Sequence, residues 1–338
     1  MAAKSERILY IGTAEGLFQA TPENGGYQSR PSGLQGKGAL RAPVVIDWHD
    51  SRRMYAATSR GGMFRSEDRG ATWREINEGI VYKEAWSLAQ HPATGELVLG
   101  TGPSSIFKSN DGGDSWIDCE QLRSLPETED WTFPQPPHVS HVKDLALCGS
   151  DPLLIFGAIE EGWIVRSKDG GKTWKNIKEG TEFDSHSVAV MPDAPNVVVA
   201  TSGKSFYKSV DGGDRFVKCA AGLDRRYMAQ AAFHPSKPRV FLTAAAAVPP
   251  PFWRRPEGAD AAFYRSDDQG ESWKRLSGGL PEHFKAASRA VAGDPEDPNG
   301  FFFGMTDGSV WMTEDAGESF RRLLAGMPQI MSIRVAYR

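Results

Sequence analysis

The sequence predicts an all-β fold, a seven-bladed propeller of four-stranded antiparallel blades. Three observations predict it: one turn motif repeated six times, short apolar runs on both sides of every copy, and a repeat spacing of blade size. The copies are SEDRGATW from Ser66, SNDGGDSW from Ser109, SKDGGKTW from Ser167, SVDGGDRF from Ser209, SDDQGESW from Ser266 and TEDAGESF from Thr313. Their common form is Ser/Thr-x-Asp-x-Gly-x-Ser/Thr-Trp/Phe, and Arg215 is the departure at the second hydroxyl position. The aspartates Asp68, Asp111, Asp169, Asp211, Asp268 and Asp315 are spaced by 43, 58, 42, 57 and 47 residues.

Taken in order, the N-terminal run ILYIGTAEGLFQATPENGGYQ matches the second, third and fourth strands of a unit, although TPENGGYQ has lost the aspartate. Each later unit reads as four strands, A to D. Pairs such as APVVID with MYAAT, or SVAVM with NVVVAT, precede runs such as GGMFRS and GWIVRS that end on the motif's Ser/Thr, and TWREI or SWKRL follows it. The motif is therefore the turn of the C-to-D hairpin. Its glycine accepts positive φ, its aspartate accepts hydrogen bonds from turn amides, and its aromatic residue packs between neighbouring repeats. The tail QIMSIRVAYR reads as a lone strand A, and pairing it beside Ile8 to Gly12 completes a seventh blade without an exposed edge. The two longest steps carry insertions, at about 117–141 and about 245–261, in what is expected to be a single domain over 1–338.

Composition agrees with an ordered β protein. The chain has 338 residues, 40% hydrophobic and 24% charged, with ten Trp interrupted by 36 Gly and 22 Pro. A formal charge of -4 without a basic stripe argues against nucleic acid as a partner, and nothing points to a membrane surface. The start MAAKSERILYIG has no apolar leader segment, so a cytoplasmic location is expected. Cys119, Cys148 and Cys219 lie far apart, form no CxxC pair and read as buried thiols.

The repeated motif resembles the Asp-box, or BNR repeat, of bacterial propellers known as sialidase-like or glycosyl hydrolase-like, and more distantly of xyloglucanase and photosystem II assembly-factor propellers. The resemblance covers nearly the whole chain. It implies that the boxes are structural and lie on the face opposite the binding site. Leu40-Arg41-Ala42-Pro43 stands where sialidases carry an Arg-Ile-Pro motif, with the middle residue changed.

Propeller geometry then sorts the candidates. The D-to-A and B-to-C loops share one mouth of the channel, and both insertions fall there. Trp131, Phe133, Phe252 and Trp253 read as a rim over a pocket, or as local packing beneath the loops. Arg41, Glu84, Trp86, His138, His141, Asp184, His186, Arg226, Tyr227, Lys285 and Arg289 cluster at the starts of A strands. His138, His141, His186 and Glu160 are the expected ligands of a divalent metal, zinc or another transition ion, with room for an activated water. Arg41, Arg226 and Arg289 are the expected anion clamp. Trp86, Trp131 and Trp253 are expected to contact substrate, with Glu84, Glu160, His186 and Tyr227 as catalytic groups. For glycoside cleavage the available carboxylates are Glu84, Glu160, Glu161 and Asp184. No nucleotide or organic cofactor is indicated. Two functions follow: a hydrolase or lyase for a small sugar or organic anion, or a non-catalytic propeller whose rim binds a protein partner.

Overall fold

A computed structural model of the chain describes residues 6–234 and 236–338. The first five residues of the segment read for a leader lie outside it. The described strands form seven four-stranded antiparallel sheets, the blades of the predicted propeller. Blade 1 takes Ile330–Tyr337 as strand A and Arg7–Thr13, Gly16–Glu23 and Gly26–Pro31 as B to D. The two chain ends pair from Arg7↔Tyr337 to Thr13↔Ile330, as the tail's pattern predicts. Blades 2 to 7 begin at Val45, Glu84, His141, Ser185, Tyr227 and Ser288.

Packing divides the chain into two compact units. One comprises 45–220 with 226–229 and holds blades 2 to 5; the other comprises, of the described residues, 6–44, 221–225, 230–234 and 236–338 and holds blades 1 and 7 and most of blade 6.

Inside each unit the boxes work as fasteners. In blade 4, Ser167 Oγ donates to Asp169 Oδ1 at 2.8 Å and accepts the Gly171 amide at 2.8 Å. Asp169 in turn accepts the Thr173 amide at 2.8 Å and hydroxyl at 2.6 Å. The same arrangement recurs around Asp68, Asp111, Asp268 and Asp315. Where Arg215 replaces the second hydroxyl, Asp211 keeps the Ser209 hydroxyl bond and the amide bonds from Asp214 and Arg215. The box aromatics pack against the preceding blade: Trp174 joins Val98 and Ile106, Phe216 joins Phe156 and Ala158, and Phe320 joins Leu242 and Phe263.

Two further repeats join blade to blade. The basic residue just before the box Ser reaches a carbonyl in the next box: Arg65 to Gly112 at 2.5 Å, Lys108 to Gly170 at 2.8 Å, Arg166 to Gly212 at 2.7 Å and Arg265 to Ala316 at 3.0 Å. In the last box this position is Met312, and the blade that follows is the one whose turn has no box. The second repeat is a glycine six residues after the box aromatic, at Gly79, Gly180, Gly222, Gly279 and Gly326. At Gly180 and Gly222, both at positive φ, an added Cβ would lie 1.8 Å from the carbonyl oxygens of Phe216 and Trp273. The residue before each glycine accepts that aromatic's amide, Glu179 from Phe216 and Ala221 from Trp273. Box and glycine are therefore two halves of one joint. The copy without a glycine has Leu122, at the start of the first insertion, which folds there as the 3-10 turns Glu120–Ser124 and Pro126–Glu129.

Candidate active site

Strand A carries a β-bulge near its start, and the bulge selects the site residues. In blades 3, 4, 5 and 7 the A–B register skips Trp86, Lys143, His186 and Arg289; in blade 1 it skips Met331. A bulged residue is left out of the ladder, and the bend there re-aims its side chain. Three of these residues converge in the first unit. Strand alternation brings their i−2 neighbours with them: Glu84 beside Trp86, His141 beside Lys143, and Asp184 beside His186.

Glu160, the last residue of its strand B, is the buried centre. His141 Nε2 donates to its Oε2 at 2.6 Å, and Lys143 Nζ donates to its Oε1 at 2.7 Å. Burial pushes the Glu160 carboxyl up, but the charge of Lys143, the His141 hydrogen bond and the charges of His141 and His186 together hold it well below the ordinary value. His186 Nδ1 donates to the Met228 carbonyl at 2.6 Å, which leaves Nε2 facing Asp184 Oδ1 at 2.9 Å and Glu160 Oε1 at 3.8 Å. Asp184 is raised by burial and lowered, with a net lowering, by the hydrogen bond and charge of His186 and by Lys143. Glu161 is pushed up by burial and by the neighbouring charges of Asp184 and Glu160.

Aromatic rings flank the charges. Trp86 stacks on His141 with ring centres 3.3 Å apart, Phe133 meets the same imidazole edge-on at 4.9 Å, and Tyr227 tilts against His186 at 4.8 Å. Two glycines make room: an added Cβ on Gly203 would lie 2.1 Å from Asp184 Oδ2, and one on Gly102 would lie 2.9 Å from Trp86 Nε1. The box corners are remote. Ser167 pairs with Ile155, five residues along the same strand from Glu160, which is about 16 Å at strand rise.

Glu160, His141, His186 and Tyr227 are thus brought together, with exposed Glu84 close to Trp86. Several expected members stand elsewhere. His138 is exposed and its Nδ1 bonds the Phe133 carbonyl at 2.8 Å; among the described residues the group spaced for a metal is Glu160, Asp184 and His186. Trp131 is not a rim residue but is buried with Leu122, Val142 and Ile159, because the first insertion folds down onto blade 4. Arg226 is exposed beside Tyr227. Arg41, Arg289 and Trp253 belong to the other unit, where the Arg289 guanidinium lies 5.2 Å from the centre of the Trp253 ring. Lys143 and Gly203 were not singled out from sequence; the i+2 step from His141 points to the first. Among the described residues the three cysteines form no disulfide: Cys119 and Cys148 are buried, whereas Cys219 is only half-buried.

The family described as BNR/Asp-box repeat matches residues 264–275, the hairpin around Asp268. That hairpin carries the same bonds as its counterparts and sits in one of seven four-stranded blades. The hairpin is therefore similar to an Asp-box (BNR) repeat. Xyloglucanase Xgh74A of Acetivibrio thermocellus is 25% identical to this chain over 210 residues, 51% of this chain and 24% of the relative. The chain thus spans about a quarter of the length of the curated relatives it matches. Among solved structures, the GH74 xyloglucanase of Xanthomonas campestris superposes with a TM-score of 0.69 at 16% identity, over 96% of this chain and 52% of that one. YCF48 bound to D1 peptide superposes with a TM-score of 0.56 at 16% identity, over 95% of this chain and 85% of that one. Among the described residues no helix is long and apolar enough to cross a membrane.

Proposed function

We propose that the Asp184–His186 pair, with Glu160 behind it, is the reactive centre of a hydrolase or lyase acting on a small polar substrate, a sugar or an organic anion. The observation that carries this reading is the fixed imidazole of His186. The Met228 carbonyl holds Nδ1, so Nε2 is presented to Asp184 at 2.9 Å without any movement of the chain. A His–carboxylate pair of this kind moves protons. Glu160, tied to His141 and Lys143, acts as a fixed negative charge 3.8 Å from His186 Nε2 and steadies positive charge on the imidazole. Trp86 and Tyr227 provide aromatic faces for a sugar ring, and the likeness to xyloglucanases supports a saccharide as the substrate class.

Glu160 and Asp184 have oxygens within 4.8 Å of one another. Carboxylates that cleave glycosides as a pair are about 5–5.5 Å apart when retaining and about 6.5–9.5 Å apart when inverting. With Glu160 engaged by two cationic partners, proton transfer falls to His186 and Asp184.

The proposal has a metal-assisted form, in which Glu160, Asp184 and His186 each supply one donor and zinc or another transition ion lowers the pKa of a bound water. A cation there must displace the Lys143 ammonium from Glu160 and the hydrogen from His186 Nε2, while His141 continues to orient Glu160 from its other oxygen. The test is a screen of xyloglucan oligosaccharides, aryl glycosides and sugar esters, with and without chelator, on the wild-type protein and on Asp184→Asn. Turnover lost in the variant supports the centre, and turnover that chelator leaves intact removes the metal-assisted form.

A second reading, a peptide-binding propeller, is supported by the likeness to a propeller solved with a peptide, which superposes over 95% of this chain. Binding partners recovered by a protein that turns over nothing in the screen would decide for it.

A further inference from the structure

A cavity wholly within the other unit lies between the loop that follows strand Lys274–Leu276 and the turn before strand Val310–Thr313. Its volume is about 390 Å³, at the small-molecule end of ligand pockets. Phe284 and Trp311 form its aromatic wall, edge to face with ring centres 5.4 Å apart. Lys285 and Arg322 add two cationic side chains, and among the described residues neither forms an ion pair.

The cavity is preformed, because its loop is pinned on two sides. The second insertion clamps it from one side: the Ala259 amide donates to the Lys285 carbonyl at 2.7 Å and the Ala261 amide to the Phe284 carbonyl at 3.0 Å. From the other side, the Thr306 amide donates to the Ala287 carbonyl at 2.9 Å and the Ala287 amide donates to Thr306 Oγ1 at 3.1 Å. Trp311 is fixed in turn by its Nε1 donating to Ser309 Oγ at 3.2 Å, which donates to Asp307 Oδ1 at 2.7 Å.

We propose that this cavity binds a ring-bearing organic carboxylate. A planar or sugar ring lies against Trp311 and Phe284, and Lys285 and Arg322, which form no ion pair among the described residues, take up the anion. Asp307 at the same wall accepts hydrogen bonds from ring hydroxyls and disfavours dianions. The second insertion thereby acquires a role: it holds the loop that carries Phe284 and Lys285. The inference does not depend on the centre around His186.

The test is calorimetric titration of the full chain with galacturonate and 4-hydroxybenzoate, which distinguish a sugar acid from an aromatic acid, and with galactose, phenol and inorganic phosphate as controls. One of the two acids is expected to bind at least tenfold more tightly than its neutral counterpart and than phosphate. Arg322→Gln and Lys285→Gln, both exposed positions, are expected to abolish that margin, and Trp311→Leu to weaken binding of acid and neutral compound alike. Absence of binding by both acids, equal binding of phosphate, or a margin that survives in the double variant would each overturn the proposal.

Discussion

Gly180 sits so close to Phe216 that a Cβ in its place would fall 1.8 Å from the Phe216 carbonyl oxygen. The contact joins the end of one blade to the box aromatic of the next, and the backbone at Gly180 is also at a φ of +71°. Gly180→Ala is therefore expected to lose at least about 2 kcal/mol, from the left-handed backbone and the forced separation together. Gly326→Ala, at a similar φ but facing open space, should lose about 1 kcal/mol. Urea unfolding of the two variants measures the difference, and equal losses would remove the joint.

Arg166 provides the other link, donating to the Gly212 carbonyl and to Asp214, each at 2.7 Å. Arg166→Met keeps the length of the side chain and leaves the Gly212 carbonyl without this donor. A loss of about 1–3 kcal/mol in the same unfolding experiment is expected.

The box aspartates govern acid stability. Hydrogen bonds from the Thr173 hydroxyl and amide hold Asp169 at about 2, and Asp68, Asp111, Asp268 and Asp315 are likewise held at about 2. Each is depressed on folding, so the stability it contributes is complete above the unfolded value of 3.8 and lost as pH falls through about 2. Thermal melting should fall steeply over that window, and Asp169→Asn should make the fall shallower. An unchanged acid profile would show that the boxes do not set it.

Asp144 has the opposite sign. Burial pushes its carboxyl up to about 7, against the opposing amide bonds of Val188 and Leu145 and the charge of Lys143. A raised carboxyl contributes stability below its unfolded value and loses it as pH rises through about 7. The wild type should therefore melt lower at pH 8 than at pH 5 relative to Asp144→Asn, and parallel curves for the two proteins would contradict the assignment.

Much of the scaffold was legible because its parts are local. The Ser-x-Asp-x-Gly-x-Thr-Trp turn closes on itself, so eight residues suffice to recognise it, and the tail QIMSIRVAYR shows its strand pattern directly. Gly180 and its equivalents were equally periodic, but their meaning lies in a carbonyl on the next blade. The site was legible only in outline. His141, Glu160 and His186 stand at strand ends that the repeat locates; Lys143 lies two residues on from His141, but the bulge that turns it toward Glu160 has no signal in the sequence. His138 and Trp131 were misplaced for a related reason: in an insertion, nothing in the sequence says which ring folds inward and which imidazole stays out.

Gly203 offers a way to move the candidate centre without touching its polar groups. A methyl there would fall 2.1 Å from Asp184 Oδ2 and must push the carboxylate away from His186. Gly203→Ala is expected to lower turnover by about tenfold or more while leaving ligand titration of the Trp311 cavity unchanged.

The most direct test compares turnover by the wild type, Asp184→Asn and Asp169→Asn on the substrate that the screen identifies, each assayed well below its own melting temperature. A loss of about 100-fold or more in Asp184→Asn, with Asp169→Asn retaining wild-type turnover while folded, is the predicted result. Full turnover in Asp184→Asn, or loss in a folded Asp169→Asn, would contradict a reactive centre at the bulged strand starts with boxes that serve only as fasteners.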